Sequence, residues 1–512
     1  MGNVIMLFNR VFWAVCFLCF ALHVSGETSP VRWVADGDDG HLHYQTTGKG
    51  DRILDFSHAG YGGGGVKLPA VPVQKTIAPS GGDDSLAFQA AIDAVAAMPL
   101  KDGFRGAVLL APGTFHCASP IIISQNGVVL RGSGADNQGT TIEMTGSPHV
   151  CVEIKGKLGV KQKYDSASAI PITDAYVPSG ALDFSVGNAA DLRVGDVIYI
   201  RRPVTESWIH FMGMDRLVRS GERQVWMRAD GQITYERTIS AINGNRITLD
   251  VPLPDAINAS FLAPKVATVV KIKRPRRVAQ CGLESLQIVS PPPSGTLRTK
   301  HNDAASLDDC EDCWLKDIAI HDTLGNVNIE AGVRRITIEE VHAVHTATVE
   351  RGEGYPADIS IRGSQVLIDR CSSSGNRSFY VATLNPSATL NVVLNCNFIG
   401  NGTIQPHMHW STALLVDGCR LPDGKIEFIN RGTAGSGHGW AMGWAVAWNC
   451  TAKDFSIEQP PGAFNWCIGC TGTLHQGKHD FPLREPAVVP HSLYLAQLSE
   501  RLGNDAVKNI GY

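Results

Sequence analysis

The sequence predicts an all-β protein whose main body is a right-handed parallel β-helix, in which successive turns of chain stack as rungs of short strands. Three observations support this prediction. Charged residues make up only 18% of the 512-residue chain and glycine is abundant at 53, a mixture that fits a secreted β protein better than a helical one. Only one long helical pattern precedes the C-terminal region. Apolar segments recur at a spacing of roughly 20–30 residues, which is the periodicity of a solenoid.

Residues 1–26 have the pattern of a secretory signal peptide. Arg10 is the only charged residue before an apolar run at 11–24, and small residues at 25–26 provide a cleavage site. The run is short for a membrane span, so an uncleaved anchor is the less favoured alternative. We therefore expect a secreted protein, extracellular or periplasmic, without a membrane attachment after cleavage. The cleaved chain would keep an odd number of cysteines, so at least one thiol should be unpaired.

Residues 27–159 are predicted to form the N-terminal cap and the first turns of the β-helix. Asp83, Asp84 and Ser85 suit a helix N-terminus, and the apolar residues that follow have helical spacing. Later stretches are short apolar runs separated by glycine or asparagine turns, which is typical of strands. The helical stripe consists of Leu86, Phe88, Ile92 and Val95, and the strand stretches are 106–117, 120–134 and 140–146.

Residues 160–265 interrupt this pattern and are predicted to form an inserted antiparallel β-subdomain. The stretches 181–203 and 237–254 read as antiparallel strand pairs, and the second contains an Asn-Gly dipeptide that favours a hairpin turn. Between them, residues 207–231 are rich in tryptophan, methionine and arginine. This long loop either reaches over the groove of the β-helix or packs on its own subdomain.

Residues 266–480 are predicted to be the main β-helix, and residues 481–512 its C-terminal cap. Several rungs end in a cysteine, and these small side chains are expected to stack in one internal column. Disulfides between adjacent rungs are the less favoured alternative. An amphipathic helix in the last segment is expected to cover the open end of the solenoid, which would otherwise expose unpaired backbone. The cysteines of the column are Cys371, Cys396, Cys419 and Cys450, at intervals of 25, 23 and 31 residues.

The segment 405–466 is the most informative for function. It gathers histidine, arginine and tryptophan among glycines and contains few acids. Indole faces stack on pyranose rings, and charged tips hold hydroxyls and carboxylates, so the segment is predicted to line a sugar-binding cleft. His407 and His409 would point to opposite faces of an extended segment, so only one can face a groove. The predicted cleft residues are His407, His409, Trp410, Arg431, His438, Trp440, Trp444 and Trp448.

The cap helix with its GDDSLAFQAAID segment (82–93), the strands and the rungs together resemble the pectate-lyase-like superfamily of right-handed parallel β-helices. The resemblance covers most of the chain outside residues 160–265 and implies a protein that acts on polysaccharides or binds them. GSGHGWAMG (435–443) is similar to the glycine-histidine-glycine element of polygalacturonases, with His438 at its centre. The adjacent Asp-Asp and the Arg-Ile-Lys triplet of that family's signature are missing, which disfavours a hydrolase of that kind.

The residue types in this region favour β-elimination over hydrolysis. Glycoside hydrolysis uses two carboxyl groups about 5–10 Å apart, and the segment offers no convincing pair. Elimination on a uronic acid needs a base, a cation that neutralises the sugar carboxylate, and an acid for the leaving oxygen. The predicted bases are His409 and His438 and the predicted clamp is Arg431, which could instead bridge Asp417 or Glu427 on a neighbouring rung.

Further residues are assigned to the same site. Arg377 and Tyr380 lie one rung earlier and are expected to join the catalytic residues. Substrate contacts are assigned to His407, Trp410, Trp440 and Trp444, although tryptophans spaced by four residues could equally fill the solenoid interior.

No metal ligands are assigned. Calcium assists many enzymes of the superfamily, so the resemblance implies Ca²⁺ as a possible cofactor. The acidic DDCEDC segment (308–313) nevertheless lacks the spacing of a dedicated calcium loop. Two Cys-x-x-Cys pairs, at 310/313 and 467/470, would suit zinc but lie more than 150 residues apart in the sequence.

We therefore predict a secreted enzyme that cleaves a uronic-acid-containing polysaccharide by β-elimination. A β-helix glycoside hydrolase is the first alternative, and a non-catalytic glycan-binding surface protein is the second. The expected partner is the polysaccharide itself. The net charge of −4 argues against nucleic acid, and the sequence does not indicate an oligomeric state.

Overall fold

In the computed structural model, a parallel sheet of 27 strands coils into a solenoid, which confirms the predicted all-β fold class. Strands of successive rungs pair in register, and one internal column of side chains illustrates the packing. Every member of this column is at most 1% exposed. Because each rung adds such residues to the same core, apolar burial stabilises the whole stack. The column runs through Leu315, Ile338, Ile368, Val393 and Val416.

The structure describes residues 33–156, 168–293, 297, 299–346, 356–475 and 488–512. The predicted signal peptide at 1–26 lies outside these residues. Trp33–Tyr512 forms one compact unit, so the insertion and the solenoid are not separate bodies. Within the described ranges, no helix is long and apolar enough to cross a membrane.

The first part of the chain contains a hairpin, the cap helix and the first solenoid strands. These elements are β1 (Val34–Asp36), β2 (Leu42–Tyr44), β3 (Val73–Ile77), α1 (Ser85–Ala96), β4 (Gly106–Leu110), β5 (Gly113–Cys117), β6 (Ile121–Ile123), β7 (Val128–Arg131), β8 (Thr140–Met144) and β9 (Val150–Lys155).

The insertion follows. Its elements are β10 (Ile170–Pro171), β11 (Tyr176–Val177), β12 (Asp183–Ser185), β13 (Val197–Pro203), α2 (Glu206–Phe211), β14 (Val218–Arg219), β15 (Glu222–Arg223), β16 (Gln232–Asn243), β17 (Arg246–Leu249), β18 (Ile257–Asn258) and β19 (Thr268–Ile272).

The remaining elements complete the solenoid and the C-terminal tail. They are β20 (Val278–Ala279), β21 (Gly282–Val289), β22 (Asp303–Asp308), β23 (Cys310–His321), β24 (Gly325–Ile329), β25 (Arg334–Val344), β26 (Ala357–Ile361), β27 (Ser364–Asp369), β28 (Ser372–Ser374), β29 (Phe379–Thr383), β30 (Thr389–Leu394), β31 (Asn397–Ile399), β32 (Thr403–Ile404), β33 (Ser411–Asp417), β34 (Arg420–Phe428), β35 (Met442–Gly443), β36 (Val446–Trp448), β37 (Thr451–Ile457), β38 (Trp466–Ile468), β39 (Thr471–His475), α3 (Leu493–Leu502) and α4 (Asn504–Asn509).

Helix α1 covers the N-terminal end of the core, as predicted. Phe88, Ile92 and Val95 are buried in the solenoid core, and the Phe88 ring lies 5.1 Å from that of Phe115. Leu86 was wrongly included in the apolar stripe, because its side chain is 83% exposed. At 100° per residue, position 86 lies nearly opposite positions 88 and 95 on the helix.

The cysteine column forms as predicted, at one corner of the rungs. The backbone N–H of Cys371 donates to Cys396 Sγ, and that of Cys450 donates to Cys470 Sγ, both at 3.4 Å. The residue before each cysteine is a turn residue with a left-handed backbone, such as Asn395 (φ 49°). All 11 described cysteines are buried free thiols, so the alternative of inter-rung disulfides is wrong for them.

The C-terminal helix does not cover the open end of the stack, contrary to the prediction. Instead, α3 lies along the flank of the rungs, where Leu493 and Leu498 are fully buried. Asp417 accepts hydrogen bonds from Ser492 Oγ (2.7 Å) and from the backbone N–H of Tyr494 (2.8 Å). The rungs expose outward-facing apolar residues on this flank, and the helix buries them. These residues include Leu367, Leu390, Val392, Leu394 and Leu415.

The insertion is a six-stranded antiparallel sheet in the order β10-β19-β13-β16-β17-β12. It extends to Ile272 in β19, so it ends one strand beyond the predicted boundary at residue 265. This sheet packs on the solenoid instead of standing apart. Glu236 of β16 accepts hydrogen bonds from both terminal nitrogens of Arg277 (2.8 and 3.1 Å) and from Arg334 of β25 (2.7 Å).

Candidate functional site

A cluster of one arginine and three histidines lies where two neighbouring rungs turn. Arg431 Nη1 donates to the carbonyl oxygen of His407 at 2.9 Å and to His438 Nδ1 at 3.1 Å. The rings of His407 and His438 lie 4.6 Å apart, and those of His409 and His438 lie 6.2 Å apart. The structure therefore brings together the predicted clamp and all three predicted histidines.

Parallel backbone pairing between the two turns positions this cluster. The N–H of His409 donates to the carbonyl of His438 (3.2 Å), and that of Trp410 to the carbonyl of Trp440 (3.1 Å). Gly435 lets the His438 ring lie against the turn, since a Cβ there would stand 2.0 Å from His438 Nε2. His438 is consequently only 8% exposed, not on an open turn.

The loop of the insertion reaches over this turn, which decides between the two arrangements left open by the sequence. Trp226 Nε1 donates to the carbonyl of Trp440 at 3.0 Å, and Arg219 Nη1 donates to that of Gly435 at 2.8 Å. A Cβ on Gly439 would lie 2.4 Å from the Trp226 ring. The loop thus fixes the backbone on which His438 is carried.

The electrostatics of the cluster favour an anionic ligand. Burial lowers the pKa of His407 to about 3, with the positive charge of Arg431 as the next cause. Burial and Arg431 likewise lower the pKa of His438 to about 4. Within the described residues no carboxylate forms an ion pair with Arg431, so the predicted alternative of a bridge to Asp417 or Glu427 is wrong. The half-buried guanidinium donates to neutral groups and lies beside the Phe379 ring. Burial lowers the pKa of Arg431, and the charge of Glu427 opposes that shift without a direct ion pair.

His407 also lines a groove that runs along one face of the solenoid. This cavity, of about 250 Å³, crosses β22, β24, β26 and β29 and contains Asp303, His301 and Arg362 as well. In-register pairing of these strands builds its floor, with Asn328 and Ser360 as direct partners. Asp303 and β32, which precedes His407, are four rung steps apart, or about 19 Å at 4.8 Å per step.

The far end of the groove is organised around Asp303. Its carboxylate accepts hydrogen bonds from the N–H of Gly325 (2.9 Å) and from Asn328 Nδ2 (3.1 Å), and His301 Nε2 lies 3.5 Å away. Burial raises the pKa of Asp303 despite these contacts. A Cβ on Gly325 would lie 2.7 Å from Asp303 Oδ1, so glycine is needed to leave room for this carboxylate.

The structure does not bring Tyr380 into the groove. Its side chain is buried inside the solenoid, where it stacks on Phe398 and its hydroxyl donates to the carbonyl of Gly375 at 3.1 Å. Alternation along β29 explains this error, because the neighbouring Phe379 is the residue that faces the groove. Arg377 lies on the turn before β29, where its backbone N–H donates to Asn401 Oδ1 at 2.7 Å, and it is not among the residues that line the groove.

The predicted tryptophan subsites are wrong for an open groove. Trp410, Trp440 and Trp444 are at most 9% exposed and pack between the solenoid and the insertion. Trp410 and Trp444 donate from Nε1 to the two oxygens of Asp255, at 2.8 and 2.9 Å. The outward side of these rungs is covered by the insertion, so indoles that would otherwise face solvent form an interface.

The acidic and cysteine-rich segments hold no metal arrangement. Asp312 pairs with Arg335, and Glu311 lies 3.2 Å from the same guanidinium. In the part of the chain that the structure describes, no group of three or more His, Cys, Asp or Glu side chains is placed to hold a metal ion. The cysteines of both Cys-x-x-Cys pairs are buried as free thiols.

Sequence reasoning missed the Asp303 end of the groove. From the sequence alone, no role was assigned to Asp303, His301 or Arg362. The strand register is the signal that could have found them, because three in-register pairings lead from β22 through β24 and β26 to β29, where Phe379 lines the same groove as Asp303 and His407.

Comparisons with known proteins give fold-level similarity. No protein-family model matches the chain, and no curated protein sequence matches it. Several solved structures are similar, and three of them follow. The tailspike protein gp49 from Pseudomonas phage LKA1 has 14% identity and a TM-score of 0.39, with coverage of 76% of this chain and 70% of its own. The Gp54 tailspike of Acinetobacter baumannii bacteriophage AP22, in complex with a capsular saccharide, has 11% identity, a TM-score of 0.36 and coverage of 77% and 62%.

The third similar structure is the endo-xylogalacturonan hydrolase from Aspergillus tubingensis, with 11% identity, a TM-score of 0.35 and coverage of 78% of this chain and 92% of its own. The chain spans less than two thirds of the Gp54 tailspike. Similarity at this level concerns the fold alone. The 27-stranded parallel sheet itself establishes that this chain has a parallel β-helix architecture.

Proposed function

We propose that this protein is a polysaccharide lyase that cleaves a uronic-acid-containing glycan in the groove between Asp303 and His407. The observation that carries the proposal is Arg431, a half-buried guanidinium that donates to a carbonyl and an imidazole and forms no ion pair with a described carboxylate. Such a cation beside neutral histidines suits a sugar carboxylate. A groove about 19 Å long suits a chain better than a single sugar.

The roles of the histidines follow from their hydrogen bonds. A guanidinium can only donate, so His438 must present an unprotonated Nδ1 to Arg431 and carry its proton on Nε2. The lone pair of His438 Nδ1 is therefore used in the hydrogen bond from Arg431, so His438 is not free to act as a base. We propose that His438 positions Arg431. His407 lines the groove and is neutral at pH 7. We assign the general base to His407, because it lines the groove and His409 does not. Arg431 does not line the groove either, and it adjoins the groove through its hydrogen bond to the His407 carbonyl.

In this proposal the uronate carboxylate binds at the His407 end of the groove, beside Arg431, and neutralisation of its charge makes the proton on C5 more acidic. His407 removes that proton, the bond from C4 to the glycosidic oxygen breaks, and a C4–C5 double bond forms. The released oxygen takes a proton from solvent. A bound carboxylate also offsets the cationic charge that depresses the His407 pKa, so the base strengthens when substrate is present.

Glycoside hydrolysis is the second candidate, and Asp303 is the observation that favours it. Its raised pKa suits a general acid. However, Asp303 is the only carboxylic acid among the described residues that line the groove, and hydrolysis uses two, about 5–10 Å apart.

A polysaccharide screen with two readouts tests the proposed function. The lyase is expected to produce unsaturated uronates, which absorb in the ultraviolet, from at least one uronate-containing polymer and from no neutral polymer. New reducing ends without this absorbance would select the hydrolase. Saturable binding with neither product would select a glycan-binding protein.

The pH dependence of kcat/KM provides a further prediction. Burial and Arg431 depress the His407 pKa to about 3, so the base stays deprotonated, and activity is retained, well below pH 6.5. Arg431→Gln removes one cation, so the His407 pKa should rise and the loss of activity on acidification should begin at higher pH. Arg362→Gln removes a cation with a smaller effect on His407 and should shift this loss of activity less. NMR titration of the imidazoles gives the same pKa without turnover. An acid limb between pH 6 and 7 in the wild type would contradict the assignment.

We also propose that the protein is secreted. The support is the sequence of residues 1–26, with its apolar run and small residues before position 27. N-terminal sequencing of the protein recovered outside the expressing cells tests this proposal, with Glu27 as the expected first residue. Recovery of the chain only in the membrane fraction, with residues 1–26 retained, would contradict it.

A further inference from the structure

A second cavity lies between the insertion, residues 47–51 and residues 461–464, apart from the groove. Its volume is about 330 Å³, which is within the range of small-ligand pockets. None of its lining residues lines the groove. The proposed cleavage reaction makes no use of this cavity.

Aromatic side chains form much of its wall. Phe211 and Phe261 stack with ring centroids 4.2 Å apart, and Phe211 is 38% exposed at the rim. Trp208 and Trp410 lie deeper, with centroids 6.0 Å apart in an edge-to-face arrangement, and Phe464 completes the wall. Flat apolar surfaces of this kind pack against the C–H faces of pyranose rings.

The floor contains a buried ion pair with unused hydrogen-bonding capacity. Arg202 Nη2 donates to Asp255 Oδ2 at 3.0 Å, and both side chains are at most 7% exposed. The Arg202 guanidinium also lies 4.2 Å from the Trp208 ring centroid. Arg202 Nε is buried and has no hydrogen-bond partner among the residues that the structure describes. A buried donor without a partner is costly, so the floor of the cavity has hydrogen-bonding capacity that the described residues leave unused.

The cavity is lined by two further charged residues, the buried Asp51 and the exposed Lys49. Asp51 accepts hydrogen bonds from the Tyr176 hydroxyl (2.7 Å) and from Thr47 Oγ1 (2.9 Å). Lys49 Nζ lies 5.1 Å from the centroid of the Tyr176 ring. The cavity thus contains two cations, Lys49 and Arg202, and two carboxylates, Asp51 and Asp255.

We propose that this cavity binds a neutral pyranose residue. Aromatic walls suit the apolar faces of the ring, and the polar groups suit its hydroxyls. The balance of two positive and two negative charges disfavours an anionic sugar, in contrast to the Arg431 cluster. The protein therefore has two carbohydrate sites of different charge preference, and this pocket would anchor neutral units of a glycan whether or not the groove cleaves it.

Binding of free sugars tests this proposal independently of the cleavage reaction. Glucose, galactose, mannose, xylose, rhamnose, fucose and N-acetylglucosamine would be titrated by calorimetry and by tryptophan fluorescence, since Trp208 and Trp410 lie in the pocket. Glucuronic and galacturonic acids serve as anionic counterparts. We expect saturable binding of at least one neutral sugar, and at least tenfold weaker binding of its uronic acid.

Variants assign the binding to the pocket. Phe211→Ala truncates a partly exposed rim aromatic and is expected to weaken the neutral sugar by about tenfold without unfolding the protein. Phe261→Ala should do the same. Leu86→Ala removes an apolar side chain that is 83% exposed on α1 and should leave binding unchanged.

Three outcomes would overturn the proposal. The first is the absence of saturable binding for every neutral sugar in the panel. The second is tighter binding of a uronic acid than of its neutral counterpart in this pocket. The third is binding that both phenylalanine variants leave unaffected. Failure of the lyase assay alone would leave this inference standing, because the sugar titration does not depend on turnover.

Discussion

Arg431→Gln is expected to lower kcat/KM on the cleaved polysaccharide by about 10²-fold or more, the scale on which loss of a single charge-stabilising donor acts. Arg431 Nη1 reaches both His407 and His438, so this one guanidinium links the proposed base to the residue that positions the clamp. Glutamine keeps much of the side-chain volume but removes the charge. Rates on matched substrates, with melting temperatures recorded in parallel, measure the effect.

Two further variants make this result specific. Arg431→Lys restores the charge without the planar fork and should recover only part of the loss. Arg420→Gln removes an exposed arginine at the start of β34 and should leave the rate unchanged. Near wild-type turnover of Arg431→Gln, in an enzyme that demonstrably forms unsaturated products, would show that the cluster is architectural.

Asp255→Ala is expected to give the largest loss of stability, about 3–5 kcal/mol, which is the scale for leaving one buried charge unpaired. The Asp255 carboxylate accepts from Arg202 and from the indoles of Trp410 and Trp444. Without it, the Arg202 guanidinium, at 3% side-chain exposure, has no ion-pair partner among the residues that the structure describes. Urea and thermal unfolding of the variant measure the change.

A double variant separates the buried charge from the rest of the interface. Arg202→Met combined with Asp255→Leu removes both charges and should recover part of the lost stability, because two similar apolar side chains need no counter-ion. Asp505→Ala changes an aspartate whose side chain is 91% exposed and should have almost no effect. Equal unfolding midpoints for Asp255→Ala and the wild type would contradict the importance of this ion pair.

The insertion contributes to both proposed carbohydrate sites, which explains why its position on the solenoid matters. Its loop donates hydrogen bonds from Trp226 and Arg219 to the turn that carries His438. Its strand β13 carries Arg202, and α2 carries Phe211 at the rim of the neutral pocket. One rigid attachment therefore shapes the turn beside the groove and encloses a second cavity.

Local sequence features predicted the solenoid because they act over one rung at a time. The cysteine positions recur with the chain period, and the residues before them adopt the left-handed turn that asparagine and glycine tolerate. Apolar residues on short strands then stack in register. The prediction of the cap helix also depended on neighbouring residues alone. Its one error was Leu86, which does not share the helical face of Phe88 and Val95.

The C-terminal helix and the tryptophans were misjudged because their environment is not local. The sequence gives no sign that the flank near Leu367 and Leu390 is apolar on its outer side and must be covered by α3. It likewise gives no sign that Trp410 and Trp444 meet Asp255, more than 150 residues earlier in the chain. Burial by a distant segment decided both cases.

The sequence by itself determined the stacked β-helix, the free cysteine column, the antiparallel insertion and the cluster of Arg431 with its histidines. Periodicity and turn chemistry are properties of neighbouring residues, so they can be read along the chain. Only the tertiary structure decided that His407 faces the groove, that Asp303 shares it, and that the tryptophans are covered. Stacking at about 4.8 Å per rung brings together side chains that are distant in sequence, and the packing of the insertion determines which of them remain accessible.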